Sequence, residues 1–311
     1  FDMIWHSASK ITEDGWVVEM AIPLSGMRFP DGDRQNWRLD FWRIHPRDSY
    51  RQYSWSALDP DDQCWPCQWG SVEGIAGVTP GKGFEVLGSF VGSRSGEIAD
   101  PYDADSGVVD GDWQDDYSVG AKYSPTSNVT LEASVNPDYS QIEADAAQID
   151  VNTTIQLLFP ERRPFFQEGN DLFRTMFNSF YTRMVSDPDL AAKATARWDR
   201  TSVGWVMARD ENSPYIVPAE ERSYTKPMGR STVNVVRGLH SFGTNSQVGG
   251  MFTDRRYDDG GSGTIASGDA RLRLTNSLSW VGQFVHSRTE EPENVEVAPG
   301  ATFADGRHTY D

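Results

Sequence analysis

Tyr117-Ser118-Val119-Gly120-Ala121-Lys122-Tyr123-Ser124-Pro125-Thr126-Ser127-Asn128-Val129-Thr130-Leu131-Glu132-Ala133-Ser134-Val135 is written with a period of two. Tyr117, Val119, Ala121 and Tyr123 alternate with Ser118, Gly120 and Lys122. Past the polar turn Ser124–Asn128, Val129, Leu131, Ala133 and Val135 alternate with Thr130, Glu132 and Ser134. Successive side chains of a strand point to opposite faces, so this is an antiparallel hairpin. One face is apolar and edged by tyrosines; the other is small or charged. Lipid outside and a polar lumen inside would select that division. A soluble sheet with one wet face would select it too, and one hairpin does not separate the two.

Toward the C-terminus the pattern recurs. Ala194–Trp198 and Val203–Ala208 flank Asp199–Ser202, and Thr232–Leu239 and Gln247–Thr253 flank Gly243-Thr244-Asn245. Ala270, Leu272 and Leu274 oppose Arg271 and Arg273, and a further strand runs Ser279–His286 after Thr275–Ser277. There the alternation is imperfect, because Val281 and Val285 share no face with Trp280 and Phe284. Tight turns alternate with long polar connections at 209–231 and 254–268, which is the layout of outer-membrane barrels. A closed barrel needs at least ~8 strands, and the region after Asp116 supplies about that many.

Toward the N-terminus the alternation is that of a sandwich. Trp16, Val18, Met20 and Ile22 form one face of a strand that Pro23 stops; Trp37, Leu39 and Phe41 repeat it after the turn Pro30–Asp33. Trp42, Trp55, Trp65 and Trp69 follow as candidates for a sugar-stacking platform, with packing alone as the alternative. Phe84, Val86, Gly88 and Phe90 begin another strand, and the chain then turns acidic, with seven aspartates from Asp100 to Asp116. Asp103 and Asp105, ahead of Gly107, resemble part of a calcium loop but lack its distal Glu; a solvated acidic loop is the alternative. Cys64 and Cys67 are too few for a four-thiolate zinc site, and the polar turn before them is not the strand-to-helix setting of a redox motif. They read as a structural or incidental pair.

The chain has 311 residues and a net charge of −18. That charge argues against nucleic acid, whose phosphates require a basic face. Mean hydropathy is −0.56, and no apolar run approaches the ~20 residues of a membrane helix. Strands that dilute their apolar content by alternation stay open to a membrane barrel. His6, His45, His240, His286 and His308 make no metal-ligand spacing, and no nucleophile elbow or phosphate loop appears. Phe1 is not an initiator methionine and no leader follows it, so the chain reads as a fragment truncated at both ends.

One segment breaks the hairpin rhythm. Asn136-Pro137-Asp138-Tyr139-Ser140-Gln141-Ile142-Glu143-Ala144-Asp145 runs into Phe159-Pro160-Glu161-Arg162-Arg163-Pro164-Phe165-Phe166-Gln167-Glu168-Gly169. Ser140 and Glu143 fit a capping box, and Ile142, Ala146 and Ile149 a helical face. Glu143, Asp145, Glu161, Arg162, Arg163 and Glu168 are expected to form an ion-pair network, since such groups are seldom buried unpaired. This long motif resembles domain of unknown function 5916, a bacterial family of outer-membrane-type β-barrels. Its members usually carry a sandwich similar to carbohydrate-binding module family nine. Gly15–Pro23 and Asn36–Phe41 resemble the later strands of that sandwich; Phe180–Arg183 and Thr253–Arg256 resemble barrel-proximal patterns. Two departures stand out: the front half of the sandwich is absent, and the expected Tyr-Ser-Arg-Arg reads Tyr181-Thr182-Arg183-Met184. The resemblance implies architecture and location, and no catalytic residues.

The expected fold is therefore all-β: a partial β-sandwich followed by an antiparallel, outer-membrane-type β-barrel segment with a charged lumenal insertion. Residues 1–82 would be the C-terminal part of the carbohydrate-binding-like sandwich and 83–116 a connecting strand and acidic linker. Residues 117–311 would be the N-terminal part of the barrel, with the insertion at 136–180. The expected function is glycan binding or solute passage at the cell outer membrane, with the sandwich outside the bilayer. Its partners would be outer-membrane lipid and a glycan, with no nucleic acid and no cofactor beyond the calcium reading. The alternatives are a glycoside hydrolase or a soluble sugar-binding protein. Hydrolysis needs two carboxyl groups ~5–5.5 Å or ~6.5–9.5 Å apart, and Glu143, Asp145, Glu161 and Glu168 are the only cluster to test. Against that stands a structural role as counter-charges for Arg162 and Arg163.

Overall fold

The computed structural model describes residues 5–24, 27, 29–46, 49–59, 65–79, 83–100, 102–103, 106–137, 159–217, 224–243, 245–275, 277–292, 296–298, 301–302 and 307–310. The chain divides into two compact units, Ile4–Gly81 and Phe1–Met3 with Lys82–Asp311. Both are built from strands.

The first unit holds β1 (His6–Thr12), β2 (Gly15–Ala21), β3 (Trp37–Leu39), β4 (Trp42–His45), β5 (Arg51–Ser54) and β6 (Gly70–Val72). They pair as three two-stranded sheets, β1 with β2, β3 with β6 and β4 with β5. The facing sheets of a sandwich are not found among the described residues. Hairpin β1–β2 is exposed along both strands, so Trp16, Val18, Met20 and Ile22, expected on a buried face, remain 40–58% exposed. The expected turn at Pro30–Asp33 is held by Gln35, whose Nε2 donates to the carbonyls of Pro30 at 3.0 Å and Gly32 at 3.2 Å. The strand expected over Trp37–Phe41 breaks at Asp40, whose carboxylate accepts the Ser56 amide at 2.8 Å.

The second unit is dominated by one ten-stranded antiparallel sheet. Its strands are β7 (Phe84–Ile98), β8 (Val108–Thr126), β9 (Val129–Val135), β10 (Pro188–Arg197) and β11 (Thr201–Asp210). Two short strands, β12 (Pro214–Val217) and β13 (Tyr224–Pro227), pair apart from it. It continues through β14 (Ser231–Phe242), β15 (Ser246–Tyr257), β16 (Ser262–Arg273) and β17 (Ser279–Glu290). After a second separate pair, β18 (Glu296–Ala298) with β19 (Ala301–Thr302), β20 (Arg307–Tyr310) closes the order. Strands adjacent in the sheet follow one another along the chain, from β7 at one edge to β20 at the other. The two edges do not pair among the described residues, so the sheet is open as described rather than a closed barrel.

Two stretches differ from expectation. The acidic linker is largely strand, because β8 begins at Val108 and pairs with β7 as a long two-stranded arm. Both faces of such an arm are wet, so its aspartates lose no hydration. The connection expected over 254–268 narrows to a turn at Asp258–Gly261, where Gly260 and Gly261 adopt φ of 97° and 89°. The charged run Asp254-Arg255-Arg256 continues β15 because each side chain finds a partner across the sheet or along it. The capping-box helix expected around Ser140–Ile149 lies outside the described residues.

The sheet is two-faced. Along β10, Ala191, Lys193 and Thr195 are buried, whereas Leu190 is 38% exposed. On β10 the small and charged residues thus face inward, covered by residues 159–187, whereas on β11, β14 and β15 the inward face also carries apolar side chains. Phe166, Leu172, Phe173 and Val185 of the covering segment form one buried cluster with Val206, Ala208, Val233, Val235 and Met251 of the sheet.

Candidate functional site

The inward face carries a charge ladder. Lys122, Glu132 and Lys193 stand opposite one another on β8, β9 and β10, so alternate signs meet across adjacent strands. Lys193 lies 3.0 Å from Glu132, and Lys122 reaches Glu168 of the covering segment at 2.6 Å. Lys193 Nζ also donates to the carbonyls of Phe165 and, at 2.9 Å, Glu168. Its ammonium sits 4.8 Å from the Phe165 ring centroid. A buried lysine is tolerable only with this degree of pairing.

The covering segment is folded to receive those donors. Pro164 opens the short helix α1 (Pro164–Gln167), where a missing amide hydrogen costs nothing. Gly169, at φ 72°, turns the chain into α2 (Asn170–Phe173) through a conformation that other residues rarely adopt. Leu172 and Phe173 then enter a notch at Gly204; a Cβ there would lie 2.7 Å from each of their side chains. The buried Arg237 on β14 donates through Nε to the Leu172 carbonyl at 3.1 Å and pairs with Asp269 on β16. Arg255 reaches the Met184 carbonyl at 2.7 Å. Asp210, fully buried, accepts the amides of Asp187 at 2.7 Å and Ser186 at 3.3 Å. Gln283 on β17 accepts the Phe177 amide at 2.7 Å.

Arg163 locks the segment internally. Its guanidinium forks onto Glu161, with Nη2 2.7 Å from Oε2 and Nε 2.9 Å from Oε1, and both side chains are about 5% exposed. The remaining donors go to the Val185 carbonyl and, at 2.8 Å, the Thr182 carbonyl. The guanidinium carbon lies 4.3 Å from the Phe166 ring centroid. Burial alone would raise the Glu161 carboxyl; the hydrogen bonds and charge of Arg163 outweigh it and hold the pKa below the usual glutamate range.

Of the expected network, Glu161 and Arg163 come together, and Glu168 turns instead to Lys122 on the sheet. Arg162 is half-buried beside them; Glu143 and Asp145 lie outside the described residues. Glu161 and Glu168 are each engaged by a different cation, which is the geometry of counter-charges. In the first unit, the rings of Trp42 and Trp65 stack 5.8 Å apart and nearly parallel, both over 40% exposed. Trp55 instead meets Phe41 edge-on and lies over Gly70, and Trp69 is half-buried. The four tryptophans therefore supply one stacked pair, not one platform. Asp103 lies in a turn closed by backbone bonds from Asp103 to Asp100 and from Ser106 to Asp103; Asp105 is outside the described residues. Cys67 is disulfide-bonded, and Cys64 lies outside the described residues.

Lys193, Arg237, Asp210, Arg255 and Asp269 carry the inward face without having been singled out from the sequence. Their signal was uneven: Lys193, Arg255 and Asp269 share a strand face with mostly small or polar residues, but Arg237 shares its face with Val233, Val235 and Leu239, and only the covering segment reveals which are buried. Residues 101–201, about a third of the chain, match the family model described as Domain of unknown function (DUF5916). Those residues include all of β8, β9 and β10 and the covering segment, so the resemblance carried by the central motif holds there. No curated protein and no solved structure matches the chain.

Proposed function

We propose that the large sheet is wall of a β-barrel in a bacterial outer membrane, with residues 159–187 seated as a fixed filling on its lumenal face. One observation carries this reading: the outward apolar band runs diagonally across the strands. Phe84, Tyr123, Leu131, Ala194, Trp205, Val236, Phe252, Ala266 and His286 form one register row, apolar almost throughout. The row Gly88–Val119–Val135–Leu190 is also apolar, but continues as Arg209–Thr232–Arg256–Ser262–Glu290. On β16 and β17 the apolar residues lie on the opposite side, at Phe284 and at Leu272 with Trp280.

Aromatic residues mark both edges of the band. One edge moves from Tyr117 on β8 to Phe284 on β17, the other from Tyr123 to Trp280. Relative to the rows these are slips of about eight and six residues over about seven strand spacings. At ~3.4 Å per residue and ~4.8 Å per strand, the inclination is about 30–40°. Strands of membrane barrels tilt by ~35–45° and carry aromatic girdles. A sheet face bathed in water has no reason to carry an inclined apolar band. The bonded covering segment favours a filled lumen over passage along this wall. The exposed Trp42–Trp65 pair supports a second reading for the first unit, as a glycan-binding module; loss of oligosaccharide binding in Trp65→Ala would test it.

The test uses the full-length protein, expressed with its own leader in a Gram-negative host. A band in the outer-membrane fraction whose gel mobility changes on heating is the expected result. A periplasmic protein without that shift would overturn the membrane reading and return the soluble sugar-binding alternative.

A further inference from the structure

The outward face of β14–β17 is not uniformly filled. A groove of about 410 Å³ lies there, walled by Val236, Phe252, Phe284 and His286, with Gly250 and Ala266 in its floor. Gly238, Gly250 and Gly268 stand side by side in one register row at this place. None has a positive φ, and a Cβ on any of them would meet no atom closer than 3.6 Å. Neither backbone conformation nor packing among the described residues requires these glycines. A glycine inside a strand weakens it and marks close approach of a ligand or another backbone. Among the described residues nothing makes that approach, which leaves the groove open to a molecule from outside.

Charge identifies its class. Arg288 lies two residues beyond His286 on the same face, about 7 Å along the strand, at the end of the sheet with the long connections. It is exposed and has no hydrogen bond or ion pair among the described residues. Of the carboxylates on this face, Asp254 is engaged by Arg256 at 2.9 Å and Thr264 at 2.9 Å, and Glu290, two residues farther along the strand, has a partner of its own. An exposed guanidinium at the end of an apolar groove suits a phosphate above a hydrocarbon tail, because its fork matches phosphate oxygens. We propose that this groove holds an acyl chain of a phospholipid of net negative charge, with Arg288 on the phosphate. The proposal rests on the membrane reading above.

The experiment places the full-length protein in vesicles containing spin-labelled phosphatidylglycerol or phosphatidylcholine and reads the motionally restricted fraction. The parent should prefer phosphatidylglycerol by about fivefold, the effect of one cation at a membrane surface. Arg288→Gln should abolish the preference while leaving the restricted fraction in place. Gly250→Leu, which fills the floor, should lower the fraction itself. Equal binding of both lipids by the parent, or variants indistinguishable from it, would overturn the proposal. So would a Gly250→Leu protein that changes from dimer to monomer at constant lipid binding, since the occupant would then be a second copy. Heat-dependent gel mobility is read in parallel. A heat-shifted parent without lipid preference overturns the proposal alone, whereas a parent with no shift overturns the membrane reading as well.

Discussion

Arg163 concentrates the energetics of the covering segment in one side chain. It satisfies both oxygens of Glu161, two backbone carbonyls and the face of Phe166. Arg163→Met would leave Glu161 buried without a counter-charge, a loss of about 3–5 kcal/mol, measurable by urea unfolding in vesicles. Arg163→Lys should recover little, because an ammonium cannot span both oxygens and both carbonyls. The same pair sets a pH dependence. Glu161 has a folded pKa below its unfolded value, so its stabilisation is present above the unfolded pKa and lost as pH falls through the folded one. Unfolding resistance should therefore drop below about pH 4.5, and the drop should be smaller in Glu161→Gln. The Arg162-Arg163 doublet was legible as an ion-pair centre in the sequence. Which arginine points inward was not, because that follows from where Pro164 starts the helix.

At the scale of elements, the seat between segment and sheet depends on Gly204. Leu172 and Phe173 are 2% and 4% exposed and have nowhere to retreat when a methyl is added there. Gly204→Ala should destabilise by about 1–3 kcal/mol through overpacking. It should also expose Arg174 and Arg183 to trypsin, which limited proteolysis would register. Gly238→Ala, on the outward face, should leave those sites protected. The hairpins around 199–202 and 243–245 were legible because alternation and turn residues agree there. The strand over 108–116 was not, since aspartates are depleted in strands and only pairing with β7 overrides that preference. The site was legible only in part for a related reason. Lys122 and Glu132 look like ordinary wet-face residues until the segment from Phe159 onward folds over them.

For the whole second unit, the diagonal band makes a claim that separates lipid from water. Val135 and Thr232 lie on one register row and the same face, three strand spacings apart. In an inclined wall Val135 falls inside the hydrocarbon and Thr232 outside it, although nothing in the register distinguishes them. Arginine on the lipid face costs about 2–4 kcal/mol at the bilayer midplane and about 0–1 near the interface. In water, by contrast, exposed substitutions away from special features usually stay within ±0.5 kcal/mol, and Val135 is 56% exposed. Val135→Arg should therefore lower stability in lipid vesicles more than Thr232→Arg, as read from urea unfolding of the full-length protein. Equal, small effects at both positions would mean that the outward face meets water. A penalty at both would mean a band that follows the register rows, and the inclination inferred from the aromatic edges would fail.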